Sequence, residues 1–385
     1  MIHRIRAENY GCFVDLEYLP GRCDVLVGEP GSGRSLLFKL IDRLQALVNG
    51  GDHYRLCDDF DRESCTAWLA NPQQYFEIQF TTAGDTFTYR VWIAHDESPP
   101  ARDANTPKDQ ASGSRPEHQP ATRILREELY CDRSLLFSMA DGVGRIHDAS
   151  VAFSSVYTAT GQNSLVGRAF DDSQNDDIGT FCDWLREELW VLLPGWEDML
   201  SFANTQVSTP STALDDFPAW YRYMLCNEPV SVAAFNRELT QALPGCRLIE
   251  LTDDPESVHG GGNSRRVQRL RALFDNPHDG AHDPIGVHAY SWSHRETSLV
   301  QLYGIALLGI QTGRTICIDT GHICLDAASW QRWLACVARR TAETGGQVLV
   351  TGDMAWLADS GRNLGLPAQA VKRFERPGRG ATRVW

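Results

Sequence analysis

The feature that most restricts the fold is an abrupt passage from strand to helix near the N-terminus. Val25, Leu26 and Val27 form a short apolar run, and Gly28-Glu29-Pro30-Gly31-Ser32-Gly33-Arg34-Ser35 follows at once. Leu36, Leu37, Leu40, Ile41, Leu44, Leu47 and Val48 then recur at helical spacing, until Gly50-Gly51 stops the helix. A G-x-x-x-x-G-[KR]-S pattern in that setting has a physical use. Glycines let backbone N–H groups approach phosphate oxygens, the helix N-terminus adds a positive field, and the hydroxyl after the basic residue ligates magnesium. Gly28, Gly31 and Gly33 supply the bends, Ser32, Arg34 and Leu36 belong to the same candidate nucleotide-binding loop, and Ser35 is the magnesium hydroxyl. Arg34 stands where lysine is usual; its planar guanidinium keeps the charge without reproducing a compact ammonium. The competing reading is a glycine-rich turn that holds no ligand.

The elements around this loop predict an α/β chain. Strands are expected at 2–6, 13–19 and 23–27, and a hairpin at 75–80 and 86–93 turns at Ala83-Gly84. The stretch from about 96 to 122 is rich in Pro, Asp, Ser and Gln, cannot bury a core, and reads as a mobile loop. Short strands return at 128–131, 135–139, 144–147 and 151–157. Ile178, Phe181, Leu185, Leu189 and Leu192 fall on one helical face that Pro194-Gly195 would end, and 217–225 and 232–243 continue in helical style. The last third alternates helix 296–310, strand 315–318, helix 327–341 and strand 347–351, which implies parallel pairing, then a basic hairpin turning at Pro377-Gly378. Three segments result: 1–165 as an N-terminal lobe with the loop, 166–285 as a helical insertion, and 286–385 as a C-terminal lobe.

A hydrophobic fraction of 42% with 22% charged residues suits a folded globular chain. The formal charge of -14 argues against a general coat for polyanions, so DNA contact would need a local basic patch. Eleven cysteines without any C-x-x-C pair read as buried thiols in a reducing compartment. No segment approaches the roughly 18 apolar residues of a membrane span. A cytoplasmic protein without membrane association is therefore expected.

With the loop stand three further pieces: the three-strand opening, the segment Trp292-Ser293-His294-Arg295-Glu296 before Leu302-Tyr303, and the late strand Ile316-Cys317-Ile318-Asp319. Together they resemble the ABC-type ATPases of the SMC/RecF/OLD group, commonly placed among AAA-family ATPases, over nearly the whole chain. The resemblance implies a P-loop NTPase of ABC/SMC-head type, with a mixed β-sheet lobe and a helical insertion. It also implies ATP and Mg²⁺ as cofactors, a signature loop at Ser293 and Arg295 that meets the nucleotide of a partner, and Asp319 as the acidic metal residue at the end of the late strand. Partners would be a second copy or an effector protein, in a DNA-linked task such as repair or anti-phage defence.

The sequence departs from the family pattern at four positions that matter for hydrolysis. Arg34 replaces lysine, Arg295 the signature glycine, Thr320 the glutamate after Asp319, and Gly352 the switch histidine. Binding calls on Gly31, Gly33, Ser35 and Asp319, whereas hydrolysis also needs a base for the attacking water, which threonine is not near neutral pH. Nucleotide binding with slow or absent turnover is expected, catalytic-position residues being Asp319 and Thr320. His322 and Asp353 are the fallback bases for an active enzyme, and a scaffold without nucleotide is the third reading. Ser293 and Glu296 also form a capping box whatever the function, and a solvent-facing Arg295 is the plain alternative to a phosphate contact. Of the weaker signals, His278-Asp279-Gly280-Ala281-His282-Asp283 and Gly260-Gly261-Gly262 read as loops. Arg265, Arg266, Arg269 and Arg271, with Lys372, Arg373, Arg376 and Arg379, read as a solvated helix face or a nucleic-acid patch. Trp184, Trp190 and Trp196 read as core or interface.

Overall fold

Three strands open the chain: β1 (Ile2–Tyr10), β2 (Phe13–Tyr18) and β3 (Cys23–Gly28). The computed structural model describes residues 1–51, 54–95, 122–147, 156–158, 163–172, 176–194, 199–253, 267–276, 283–321, 323, 325–352 and 369–385. Over these residues the protein is mixed α/β, with three sheets distributed over two units.

One unit comprises Ile2–Pro20, Pro30–Arg186 and Phe374–Trp385. After the loop, α1 (Arg34–Asn49) and α2 (Leu56–Asp59) lead into β4 (Gln73–Thr82), β5 (Asp85–His95), β6 (Thr122–Cys131), β7 (Ser134–Ala140), β8 (Val143–Ile146) and β9 (Val156–Thr158). The sheet runs β2-β1-β4-β5-β6-β7-β8-β9, with antiparallel neighbours throughout. Such a sheet can bury one face only. Ile5, Phe76, Ile78, Phe80, Phe87, Tyr89 and Val91 are buried, while Arg4 pairs with Glu17 at 2.7 Å and Arg90 with Glu77 at 2.7 Å.

Helices cover the apolar face. α3 (Leu165–Asp172) and α4 (Asp176–Asp183) continue into a π-helical turn, Trp184–Glu188. Trp184 stacks on Phe80 with ring centroids 3.7 Å apart, and Phe181 lies 5.5 Å from Tyr89. α3 approaches α1 so closely that a Cβ on Gly167 would fall 2.1 Å from the Val48 carbonyl oxygen. Expected elements and structure differ at some ends. β6 begins at Thr122, earlier than the expected 128–131, because Arg126 pairs with Glu128 on one side while the buried Glu127 on the other accepts from Tyr89 and Ser164. Residues 96–121, most of the expected mobile loop, lie outside the described residues, as do 151–155 of the expected strand 151–157, whose end falls in β9.

The other unit comprises Met1, Gly21–Glu29 and Glu187–Arg373. Its main sheet orders β10 (Leu189–Leu192), β15 (Thr315–Asp319), β16 (Gln347–Thr351) and β3 in parallel, and β17 (Val371–Glu375) follows β3. All five residues of β16 and all four of β10 are buried, the continuous apolar pattern of a sheet covered on both faces. α5 (Phe217–Asn227), α6 (Pro229–Ala242), α7 (His294–Gly304) with its π-helical extension Ile305–Gly309, and α8 (Ala327–Thr344) build one core with Trp190, Trp220, Trp333, Phe235 and Leu299. Trp333 Nε1 donates to the Leu302 carbonyl at 2.8 Å, so its one polar atom is satisfied within that core. A small antiparallel sheet joins β11 (Phe202–Ala203), β13 (Gln268–Phe274), β12 (Cys246–Asp253) and β14 (Ile285–His288).

Leu189 and Leu192 do not extend the helical face of Ile178, Phe181 and Leu185; they form β10, with Leu189 in register with Thr315 and Leu192 with Ile318. A four-residue apolar run buried on both sides has no period of its own, so a preceding helix lends it a false one. The segment 166–285, expected to be helical, carries β10, β11, β12 and β13 besides its helices. Arg269 and Arg271 accordingly sit on a strand and not on a helix face.

Candidate functional site

β3 ends at Gly28, and the chain then turns through Glu29-Pro30-Gly31-Ser32 to Gly33, the residue before α1. Gly31 has φ 81° and Gly33 φ 100°, a left-handed backbone that favours glycine. The two glycines face different surroundings. A Cβ on Gly33 would lie 2.7 Å from Phe13 Cε1 and 2.8 Å from Cys12 Sγ, so the loop rests on the turn between β1 and β2. A Cβ on Gly31 would meet nothing within 4 Å. Leu36 packs down on the same turn, its Cδ2 2.5 Å from the place of a Gly11 Cβ. α1 is 16 residues long, has no acidic residue in its first turn and receives no side-chain cap at Gly33. Ser35 is exposed and Arg34 half-buried. Ser32 is buried, and its Oγ has no hydrogen-bond partner among the described residues. The Ser32 carbonyl accepts from Thr382 Oγ1 at 2.9 Å.

These observations fit an anion at the helix start. A capless helix N-terminus presents N–H donors and a positive dipole end. The open side of Gly31 leaves room for approach, and a buried, unpartnered hydroxyl is costly unless something accepts from it or donates to it.

In the unit that holds the parallel sheet, Asp319 closes β15 opposite Thr351 of β16. Asp319 Oδ1 accepts from Thr351 Oγ1 at 2.8 Å and from Gly321 N–H at 3.0 Å. Thr320 is buried; its N–H donates to the Thr351 carbonyl at 2.9 Å, and its hydroxyl donates to the same oxygen. Asp319 and Thr320 are thus held by one residue, Thr351, which the sequence reading did not single out. Gly352 is buried directly after it. His322 and Asp353, the alternative bases, lie outside the described residues.

At the start of α7 the capping box is complete. Ser293 Oγ accepts from Glu296 N–H at 3.3 Å, and Glu296 Oε2 accepts from Ser293 N–H at 2.6 Å and from its hydroxyl at 2.7 Å. Arg295 reaches the start of α8: it donates to Ser329 Oγ at 3.2 Å and pairs with Asp326 at 3.5 Å. Asp326 caps α8 by accepting from Ser329 N–H at 2.8 Å; the bonds from Ser329 and, after them, Arg295 hold its carboxyl below the usual range. Arg295 therefore ties two helix starts together in place of facing solvent alone.

The weaker signals divide. Arg271 pairs with Glu250 at 2.6 Å, and Arg376 lies over the Trp68 ring at 5.3 Å. Trp184 and Trp190 are core residues. Arg265, Arg266, Trp196, His278 to His282 and Gly260 to Gly262 lie outside the described residues. Among the described residues no helix is long and apolar enough to cross a membrane.

Compared with protein-family models and with curated proteins, the chain matches none.

Proposed function

We propose that this chain is a nucleotide-binding head of the ABC/SMC type, a P-loop NTPase fold that takes up ATP with Mg²⁺ and turns it over slowly or not at all. The observation that carries the reading is the loop itself: left-handed Gly31 and Gly33 between β3 and a capless 16-residue helix, with the buried Ser32 hydroxyl unpartnered. In this reading Gly28, Gly31, Ser32, Gly33 and Leu36 shape the cradle, Arg34 supplies the positive charge, and backbone N–H groups at the start of α1 hold phosphate oxygens. On this reading the Ser35 hydroxyl and, on its own unit, the Asp319 carboxylate would each be a hard oxygen ligand of the kind magnesium takes. When bound, the metal neutralises phosphate charge.

Slow turnover follows from what occupies the position after Asp319. A general base must accept a proton near neutral pH, and the Thr320 hydroxyl is neutral, buried and already donating to Thr351. Losing a positioned base lowers rates by about 10²–10⁴. Such a head serves as a switch: nucleotide binding would drive a second copy, or an effector protein, onto it, in a DNA-linked process such as repair or anti-phage defence. Ser293 and Arg295 would contribute to that contact.

Titration of the full chain with Mg-ATP, beside a phosphate-release assay on the same preparation, tests the reading. Saturable binding that Ser35→Ala and Asp319→Ala weaken is expected. Fast release abolished by those substitutions would favour an active ATPase, and no binding at all would favour a scaffold.

A further inference from the structure

The C-terminal hairpin pairs β17 with β18 (Arg383–Val384), and the residue just before β18, Thr382, is buried. Thr382 N–H donates to the Cys12 carbonyl at 3.1 Å, and Thr382 Oγ1 donates to the Ser32 carbonyl at 2.9 Å. Two polar atoms of one side of the hairpin thus grip both the turn beneath the loop and the loop itself. The consequence lies in the geometry of the peptide bond. In a planar trans peptide the C=O of one residue and the N–H of the next point in opposite directions, and no peptide bond in the described chain is cis. Drawing the Ser32 oxygen toward Thr382 therefore drives the Gly33 N–H the other way. That N–H has no acceptor among the described residues. Gly33 cannot tilt freely in compensation, because Phe13 and Cys12 fill the space behind its Cα.

We propose that Thr382 is a positioning residue for the phosphate cradle: its hydroxyl fixes the plane of the Ser32–Gly33 peptide, so that the Gly33 N–H is presented to an anionic oxygen of the nucleotide. This rests on the nucleotide reading above and goes beyond it by making the C-terminal hairpin part of the site. Sequence position gives no hint of the role, since 350 residues separate the two partners. Preorganised backbone donors act strongly only when no reorientation is needed on binding.

The test compares Thr382→Ala with Thr382→Ser in the full chain, variants that both remove the methyl group and differ only in the hydroxyl; Thr382→Val supplies bulk without the donor. Mg-ATP affinity is measured by titration and unfolding temperature without ligand. The expected result is about tenfold weaker binding for Ala and Val and wild-type affinity within about twofold for Ser, with Ala and Ser unfolding within a few degrees of each other. Equal affinities for Ala, Val and wild type would overturn the role of Thr382 and leave the nucleotide reading standing. Failure of Ser to restore binding would overturn it too. Absence of Mg-ATP binding in the wild type would remove both.

Discussion

Thr351 Oγ1 donates to Asp319 Oδ1 at 2.8 Å across the ends of two parallel strands, where these residues are direct register partners. With the Gly321 N–H on the same oxygen, Oδ1 accepts two hydrogen bonds and the carboxylate is fixed in rotation. Thr351→Val keeps the shape and removes the donor. The expected outcome is a loss of about 1 kcal/mol in thermal or denaturant unfolding, together with weaker binding of Mg-ATP than of metal-free ATP relative to wild type. Unchanged magnesium dependence would show that Asp319 needs no such support.

Thr320→Glu is the obvious substitution for restoring a catalytic base, and the structure argues that it will not do so. The side chain is buried and its hydroxyl is bonded to a main-chain carbonyl, which a carboxylate would repel. Burying an unpaired charge costs several kcal/mol. The expected variant unfolds at a clearly lower temperature and gains no phosphate release; a stable, fast-turning variant would refute this.

Gly31 and Gly33 share a left-handed backbone but not the same surroundings. Gly31→Ala is expected to cost about 1 kcal/mol from backbone alone, whereas Gly33→Ala adds overlap with Cys12 and Phe13 and should cost about 2 kcal/mol or more. Denaturant midpoints of the two variants check the order. Nucleotide binding should suffer in the Gly31 variant beyond its small stability loss, since that side of the loop is open to a ligand.

His95 predicts a pH effect. It is buried, with Nε2 facing Gln74 Oε1 at 3.0 Å and Nδ1 facing Thr122 Oγ1 at 3.1 Å. Gln74 donates through Nε2 to the Asn9 carbonyl, which orients its amide so that Oε1 accepts from the histidine. Burial first, then the charge of Arg62, lowers the His95 pKa from its ordinary 6.5. The unfolded chain therefore takes up the proton first as the pH falls. Stability from neutral His95 is fully present above the ordinary value and is lost as the pH drops through it toward the folded-state value. His95→Gln should flatten the fall in unfolding temperature as the pH drops below the ordinary 6.5; parallel curves for variant and wild type would contradict this.

Much of the fold was legible because its signals are local. The period of α1 and the Ala83-Gly84 turn between β4 and β5 correspond to the elements seen, as does the alternation from α7 to β16. β10 was not legible, since its four apolar residues continue the spacing of the helix before them. Gly31, Gly33 and Ser35 in the loop, and Asp319 at the end of β15, stand out by pattern alone. Thr351 and Thr382 do not, because each bonds a partner distant in sequence: Thr351 meets Asp319 across paired strand ends, and Thr382 meets the loop carbonyl of Ser32. From sequence Arg295 points to solvent or to a phosphate; its contact with Ser329 and Asp326 depends on how α7 and α8 start beside each other.

The central claim is that the loop between β3 and α1 holds a magnesium nucleotide that the chain scarcely hydrolyses. Equilibrium titration of the purified full chain with Mg-ATP, run in parallel with phosphate release, tests it most directly. The account predicts saturable binding, weakened by Ser35→Ala, with turnover slow or undetectable. No binding by the wild-type chain, or binding accompanied by rapid phosphate release, would contradict it.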